Sequence, residues 1–293
     1  MKLKELNIFF FGFGQVAKEF TKKLISEKYK LNISITTRQA SCDTEFLGQK
    51  VSNLEFNNEK IDKNIPKKLN NSDHVLISIP PKDKIDIVLK YFSKEFLSQN
   101  IKWITYLSAT SVYGDHKGEW VDEKSETLPK SKNGIERLAV ENAWLKMYEE
   151  HKIPLQIFRL SGIYSNKNNV LERIKLGNGN IIRKKNQYFS RIHVEDIANL
   201  LFISLHKFKK GEVYNVSDDK PASSEDVMQY GAKILNLPEP KEIKLDQIES
   251  EMLKSFYNDS KKVSNKKAKE FFKYEFKFPT YVEGLNNINK KIT

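Results

Sequence analysis

Three small residues near the start of the chain have the spacing GxGxxA, which could hold the pyrophosphate of a dinucleotide. They are Gly12, Gly14 and Ala17, and they follow the apolar run LNIFFF. The first glycine allows a tight turn, the second lets a phosphate approach the backbone, and the small third residue lets a helix pack closely on the strand before it. The pyrophosphate would bind at the N-terminus of that helix. The residues predicted to contact it are Gly12, Gly14, Gln15, Val16 and Ala17.

The sequence Thr36-Thr37-Arg38 predicts which dinucleotide is preferred. It stands roughly twenty residues beyond the glycines, where an NAD-selective site carries an acidic residue for the adenosine ribose. A carboxylate would repel a 2′-phosphate, whereas a guanidinium pairs with it bidentately and a threonine hydroxyl adds a donor. We therefore predict NADP as the cofactor, with NAD as the alternative, and assign Thr37 and Arg38 to the adenosine ribose.

Strand-like and helical segments alternate along the first half of the chain. Continuous apolar runs are typical of strands that are buried on both faces of a parallel sheet. Their alternation with helices predicts right-handed βαβ units, and hence an α/β fold with a Rossmann-type doubly wound parallel sheet. The predicted strands are Leu6–Phe11, Asn32–Thr37, His74–Ile79, Ile101–Ser108 and Pro154–Leu160, and the predicted helices are Gln15–Ser26, Asp83–Leu97 and Ile135–Glu150.

The regular alternation weakens after Tyr164. We therefore predict a dinucleotide-binding domain over residues 1–164 and a smaller, mostly substrate-binding α+β domain over 165–293, with 194–217 returning to the first sheet. The substrate pocket is expected outside the carboxyl ends of the strands, as at other switch points of such sheets. The elements predicted in the second half are helices Val170–Leu176, Val194–Leu205 and Ser223–Leu235, strand Glu212–Ser217, and a strand pair within Ile181–Ile192.

Several further strings occur in a recognisable order. TYLSATSVYG ends at Gly114, FRLSGIY ends at Tyr164, and RIHVEDIA begins at Arg191. Together with the glycine motif they resemble an extended short-chain dehydrogenase/reductase of the NAD-dependent epimerase/dehydratase type. GxGxxA, the TTR sequence, ISIPP, VYGDHKGEWVDE and the tail beginning KKVSNKKAKEFF resemble an atypical branch of that family. The resemblance implies further cofactor contacts at Ile79, Pro80, Pro81 and Ser108.

The resemblance also implies catalysis by a Ser, a Tyr and a Lys, with Tyr and Lys four residues apart on one helix. Side chains at that spacing share a helix face, so the ammonium group can lower the pKa of the phenol and reach the nicotinamide ribose. The tyrosine then exchanges a proton with the substrate. The corresponding positions hold Ala109, Asn133 and Arg137. An asparagine amide has no proton to give, and a guanidinium stays protonated.

Other residues must therefore move the proton if redox chemistry occurs. We predict Tyr113, at the mouth of the sheet, as the proton carrier, with a packed loop aromatic as the alternative interpretation. Thr110 beside the serine position is a possible substitute, and Arg137 keeps the charge and reach to hold the cofactor ribose or a substrate anion. The residues predicted to contact substrate are Tyr113, Asn133, Tyr164, Arg191 and His193.

Charge and composition limit the partners. The chain has a net charge of +12 at pH 7, but its lysines are spread along the whole chain, so we interpret them as solvated faces. The alternative is that the densest cluster contacts phosphate; it consists of Lys261, Lys262, Lys266, Lys267 and Lys269. We expect no nucleic-acid partner. The single cysteine, Cys42, excludes an internal disulfide framework and fits a reducing, cytoplasmic location. No stretch approaches the roughly 20 apolar residues of a membrane helix, and the histidines lack metal-ligand spacing. We expect a monomer or homodimer that binds a small molecule.

Two functions fit these observations. The first is an NADP-dependent oxidoreductase or epimerase that acts on a small polar, sugar-nucleotide-like substrate through a non-standard proton relay. The second is a catalytically silent NADP-binding sensor or scaffold, because Ser, Tyr and Lys are lost together. A third class, nucleic-acid binding, rests only on the net charge of +12.

Overall fold

The computed structural model describes residues 4–57 and 59–292 of the chain, in which strands and helices alternate. The strands are β1 (Glu5–Phe11), β2 (Lys30–Thr37), β3 (Cys42–Phe46), β4 (Gln49–Glu55), β5 (His74–Ile77), β6 (Trp103–Ala109), β7 (Trp120–Val121), β8 (Leu155–Leu160), β9 (Gly162–Tyr164), β10 (Arg191–His193), β11 (Glu212–Val216) and β12 (Lys262–Val263). The helices are α1 (Gln15–Ser26), α2 (Ile65–Asn70), α3 (Ile87–Phe92), α4 (Lys132–His151), α5 (Val170–Lys175), α6 (Val194–Ser204), α7 (Ser224–Ile234), α8 (Glu251–Phe256), α9 (Lys266–Phe272) and α10 (Tyr281–Ile292).

The main sheet has eight strands in the order β11-β8-β6-β5-β1-β2-β4-β3. β1 pairs in parallel with β2 and with β5, β2 pairs in parallel with β4, and β5 with β6, whereas β3 runs antiparallel to β4. The strand order moves outward from β1 in both directions, which is the doubly wound arrangement. The predicted α/β class with a Rossmann-type doubly wound parallel sheet is therefore confirmed.

The central strand β1 is buried on both of its faces. The rings of Phe9 and Phe11 lie on one face with centroids 4.6 Å apart, and Phe11 stacks on Phe92 of α3 at 5.6 Å. On the other face Phe10 packs edge-on against Phe20 of α1 at 6.3 Å. Burial of each such side chain contributes roughly 1.5–3 kcal/mol. This two-sided burial is why the strand is a continuous apolar run in the sequence.

The helix predicted over Asp83–Leu97 is shorter in the structure, so that prediction is wrong at both ends. Lys82 and Ile85 pair across a tight turn in which Asp83 has a positive φ of 53°. The helix α3 begins only after Asp86, whose carboxylate accepts a hydrogen bond from the backbone N–H of Val88 at 2.7 Å and caps the helix. A separate 3-10 turn then covers Glu95–Leu97.

Two further segments differ from the sequence-based expectation. The strand pair predicted within Ile181–Ile192 does not form in the part of the chain that the structure describes. Ile181 instead makes an isolated bridge to Glu242, and β10 pairs in parallel with β9. The hairpin of β3 and β4 was not predicted, because β3 is polar and largely exposed and so lacks an apolar pattern.

The described part of the chain divides into two compact units. The first consists of the described residues up to Ser108, together with Ile135–Arg159 and Ile197–Tyr214. The second consists of Ala109–Gly134, Leu160–Asp196 and the described residues from Asn215 onward. Residues 109–134, which the sequence places in the first domain, thus group with the second unit, where β7 pairs with β12. None of the described helices is long and apolar enough to cross a membrane.

Candidate functional site

In the first unit, the turn after β1 has a conformation that requires glycine. Gly12 has a φ of +87°, and a Cβ at this position would lie 2.8 Å from Ser78 Oγ. The N–H of Gly12 donates to Thr36 Oγ1 at the end of β2 at 3.0 Å. Ser78 Oγ in turn lies 3.1 Å from both the Phe11 and Gly12 carbonyl oxygens. The turn is therefore held by the ends of two neighbouring strands.

Gly14, by contrast, faces open space. A Cβ at Gly14 would meet no atom of the described residues within 4 Å, and its φ of −82° is one that other residues also adopt. Gly14 is the N-cap residue of α1, which has neither a side-chain cap nor an acidic residue in its first turn. The fully buried Ala17 lets the helix approach the sheet. Open space at the positive end of an uncapped helix suits a phosphate, so these residues fit the pyrophosphate of a dinucleotide.

The residues assigned to the adenosine ribose lie beside this turn. Thr36 is buried, and its Oγ1 accepts a hydrogen bond from the N–H of Gly12. Thr37 Oγ1 accepts a hydrogen bond from the N–H of Gln39 at 3.2 Å. Arg38 is exposed and forms no ion pair or side-chain hydrogen bond with the residues that the structure describes. Its guanidinium is thus available for an anion.

The residues after β5 form the neighbouring wall. Ile79 is half-buried, and its Cγ1 would lie 3.3 Å from a Cβ on Gly12. Pro80 is exposed and Pro81 half-buried. Both positions therefore leave surface next to the glycine turn that a cofactor could contact.

A buried polar network lies at the carboxyl end of β6. Ser108 Oγ donates to Glu141 Oε2 on α4 at 2.8 Å, and Arg159 Nε on β8 donates to Glu141 Oε1 at 2.9 Å. All three side chains are buried, and Glu141 is fully so. The hydroxyl of Ser108, predicted to contact cofactor, is therefore used within the protein.

Arg137 keeps an unsatisfied donor next to this network. It is half-buried, and its Nη1 donates to the carbonyl of Leu107 on β6 at 3.0 Å. Its Nε is buried with no hydrogen-bond partner among the described residues. Burying an unpaired donor is costly, so this atom is a candidate to contact a ligand.

The second unit contains a cavity of about 450 Å³. Four of the predicted site residues line it, namely Thr110, Asn133, Tyr164 and Arg191. Arg191 Nη1 donates to the carbonyls of Phe189 at 2.9 Å and of Ala222 at 3.1 Å, and burial lowers the pKa of its guanidinium. Burial also raises the pKa of the Tyr164 hydroxyl well above its ordinary value.

The two other predicted substrate contacts lie elsewhere in this unit. Tyr113 is fully buried, and its hydroxyl donates to Asn215 Oδ1 at 2.8 Å. His193 is buried against Phe278 with ring centroids 4.1 Å apart, and its Nδ1 accepts the N–H of Glu195. Burial lowers the pKa of His193 to about 4, so the ring is neutral. The cavity lining, as far as the structure describes it, includes neither residue.

Comparison with known proteins identifies the family. A model of the NAD-dependent epimerase/dehydratase family matches residues 87–217. A solved structure of a functionally unknown conserved protein from Silicibacter pomeroyi DSS is 31% identical, with a TM-score of 0.83 over 98% of this chain and 99% of that one. The chain belongs to the NAD-dependent epimerase/dehydratase family.

More distant structures share the fold of this family member. A UDP-glucuronic acid 4-epimerase from Bacillus cereus in complex with NAD is 17% identical, with a TM-score of 0.75 over 97% of this chain and 99% of that one. A dTDP-glucose 4,6-dehydratase from Bacillus anthracis str. Ames in complex with NAD is 15% identical, with a TM-score of 0.76 over 99% and 96% of the two chains. A search of curated proteins finds no match.

Some residues that line this cavity were not assigned to substrate or catalysis from the sequence, among them three from the C-terminal segment of this family member. Asp259, Lys261 and Tyr257 all line the cavity of the second unit, as does Arg173 on α5. Lys261 belongs to a lysine-rich stretch of a chain whose basic residues are mostly lysine, and no local pattern distinguishes it from its neighbours. Its place in the cavity depends on residues far away in sequence.

Proposed function

We propose that this epimerase/dehydratase-family protein binds NADP and acts as an oxidoreductase or epimerase on a small polar, sugar-nucleotide-like substrate. The observation that carries the proposal is the open space at Gly14 in front of the uncapped N-terminus of α1. The pyrophosphate would bind there, supported by Gly12, Gln15, Val16 and Ala17. A nicotinamide dinucleotide would supply a hydride acceptor and donor.

The preference for NADP rests on Arg38. Its exposed guanidinium would pair with the 2′-phosphate, and Thr37 would add a hydroxyl. NAD is the alternative, since the structures of the Bacillus cereus epimerase and the Bacillus anthracis dehydratase are complexes with NAD. Arg137, whose Nε has no partner among the described residues, would contact the cofactor ribose or a substrate anion.

The substrate assignment rests on the cavity of the second unit. Its described lining contains three basic side chains and one carboxylate. The basic residues are Arg173, Arg191 and Lys261, and the carboxylate is that of Asp259. This excess of positive charge favours a polar substrate that carries an anionic group. Asn133 and Thr110 add amide and hydroxyl groups that could bind sugar hydroxyls.

Cofactor titration tests the proposal first. NADPH and NADH are added to the purified protein, and binding is followed by nicotinamide fluorescence and calorimetry. We expect tighter binding of NADPH, and failure to bind either dinucleotide at millimolar concentration would disprove the proposal. Turnover is then sought by adding oxidised NADP with UDP-glucose, UDP-glucuronic acid or dTDP-glucose that carries deuterium on its sugar carbons. Transfer of deuterium from the sugar to the nicotinamide C4 position is the readout.

A second function is favoured by the residues at the family's catalytic positions. Ala109 and Asn133 line the cavity but offer no ionisable group. A catalytically silent NADP-binding sensor or scaffold would bind cofactor and show no turnover, whereas stereospecific exchange of the nicotinamide C4 hydrogen would exclude it. Light scattering would test the further proposal that the protein is a monomer or homodimer, and cell fractionation the proposal that it is cytoplasmic.

A further inference from the structure

Lys261 is a partly buried amine in the wall of the second unit's cavity. Its side chain is 12% exposed, and its Nζ lies 3.8 Å from the carboxylate of Asp259. Nζ also donates to the carbonyl of Gly114 at 2.9 Å. The backbone beside it is fixed because β12, which starts at the next residue, pairs with β7. The Lys261 side chain is therefore anchored both at its Nζ and at its backbone.

The contact with Gly114 places Lys261 beside the segments that carry the family's catalytic positions. Gly114 directly follows the 3-10 turn Thr110–Tyr113, which starts from Ala109. A Cβ on Gly114 would lie 2.0 Å from the carbonyl oxygen of Leu128, so the turn packs closely against the chain leading to Asn133. Ala109, Asn133 and Lys261 all line the same cavity.

We propose that Lys261 is the proton-exchanging residue of this cavity, in the role that the family resemblance gives to a tyrosine at position 133. The inference rests on the proposed oxidoreductase function. When a substrate alcohol is oxidised, its C–H hydride passes to the dinucleotide and its O–H proton passes to the unprotonated Nζ, which leaves a carbonyl group and an ammonium group. The reverse reaction returns both.

An amine can perform this step, whereas the guanidinium and amide groups of the cavity lining cannot. Burial lowers the pKa of Lys261, while the carboxylates of Asp259 and Asp115 raise it. The positive charge of Lys184 lowers the pKa of both carboxylates, and that of Lys130 lowers the pKa of Asp259. The guanidinium of an arginine stays charged and the amide of Asn133 does not ionise.

The first experiment measures the proton on Lys261 without needing a substrate. The full chain, saturated with NADPH, is labelled with trace acetic anhydride from pH 6 to 11, and each lysine is followed by mass spectrometry. Lys262 is the internal control, because it lies on the adjacent residue and has no charged partner among the described side chains. We expect Lys261 to acquire label at a lower pH midpoint than Lys262. An equal or higher midpoint overturns the proposal.

The second experiment separates proton transfer from simple electrostatics. Lys261→Arg keeps the charge and a donor for Gly114, so an anchoring or anion-holding role would survive it. We expect turnover to fall by about 100-fold or more, NADPH affinity to stay unchanged, and Lys262→Arg to behave as the wild type. Lys261→Arg turnover within threefold of the wild type overturns the proposal.

Asp259→Asn should move the acid limb of the pH profile of turnover to lower pH, because the variant lacks the carboxylate that raises the pKa of Lys261. If the wild-type protein shows no turnover, the proposed function fails. The labelling midpoint then tests by itself whether the Lys261 amine loses its proton at a lower pH than Lys262.

Discussion

Ser108 Oγ donates to Glu141 Oε2 over 2.8 Å, and the other carboxylate oxygen of Glu141 accepts from Arg159. The three residues come from β6, α4 and β8, so one buried carboxylate joins a helix to two strands of the sheet. Charges removed from water are tolerated only when they are paired and hydrogen-bonded. Glu141 meets that condition, which makes it a structural link at the end of the sheet where the cofactor would bind.

Glu141→Gln should therefore unfold the protein more easily. The amide removes the carboxylate with which Arg159 forms a buried ion pair, and loss of one partner of such a pair costs about 3–5 kcal/mol. Urea denaturation measures the free energy of unfolding. The matched control is Glu19→Gln, which breaks the exposed pair with Lys22 and should change stability by less than about 1 kcal/mol. Equal effects of the two substitutions would contradict this account.

Substitution of Gly12 and of Gly14 by alanine should affect different properties of the protein. Gly12→Ala should destabilise the fold by about 1–3 kcal/mol, since it forces a positive φ and a contact 2.8 Å from Ser78 Oγ. The methyl group of Gly14→Ala meets no atom within 4 Å in the part of the chain that the structure describes. Stability should therefore be unchanged, while NADPH affinity falls by roughly tenfold or more. Thermal unfolding and NADPH titration measure the two quantities. A Gly14→Ala protein with wild-type affinity would show that phosphate does not approach there.

Arg38→Ala should alter the choice of cofactor without altering the fold. A hydrogen bond to a charged group contributes about 1.5–3 kcal/mol, so NADPH affinity should fall by about 10- to 100-fold while NADH affinity stays the same. Gln39→Ala, at the adjacent exposed residue, is the control and should bind both dinucleotides normally. If both dinucleotides weaken equally in the Arg38 variant, the guanidinium does not read the 2′-phosphate.

Asp218 should make stability depend on pH. Burial raises the pKa of Asp218 to about 8, whereas the unfolded chain releases this proton near pH 4. The folded state binds more protons across that window, so the free energy of unfolding should fall as pH rises towards 8. The buried His193, with its pKa lowered to about 4, acts in the opposite direction below about pH 6.5. In the interval from about pH 6.5 to 8, Asp218 therefore lowers the free energy of unfolding as the pH rises, whereas His193 no longer contributes.

Asp218→Asn tests that assignment. The amide cannot ionise and keeps an oxygen for the N–H of Lys220, which lies 3.2 Å from Oδ1. The free energy of unfolding should then fall less steeply between pH 6.5 and 8 in the variant than in the wild type. The exposed Asp43→Asn should retain the wild-type slope. An Asp218 variant with the wild-type slope would assign the pH dependence to another group.

The parts of the fold that were predictable are those with a strong local pattern. α1 spans Gln15–Ser26 as its apolar spacing predicts, and β1 coincides with its apolar run apart from Glu5. The start of α3 was misplaced because a tight turn with Asp83 at positive φ precedes its cap. β3 was missed because its exposed residues need no apolar pattern.

In the candidate site, too, the parts that depend on local sequence were predictable and those that depend on distant residues were not. The glycine turn is local, since β1, the turn and α1 are consecutive, and spacing was enough to find it. Lys261 depends on Gly114 and on the pairing of β12 with β7, which join distant parts of the chain. Tyr113 was assigned from its place after β6, but the direction of its side chain, towards Asn215, is a tertiary property that no neighbouring residue specifies.

The order of the strands has a consequence for how the molecule acquires its fold. β8 lies beside β6, and β11 lies beside β8 at the edge of the sheet, yet each is separated from the preceding strand by segments that belong to the second unit. Pairing between residues far apart in sequence slows folding, because the entropy of closing long loops is lost before the pairing stabilises anything. During synthesis one edge of β6 therefore stays unpaired until β8 emerges, and an unpaired strand edge is vulnerable to aggregation.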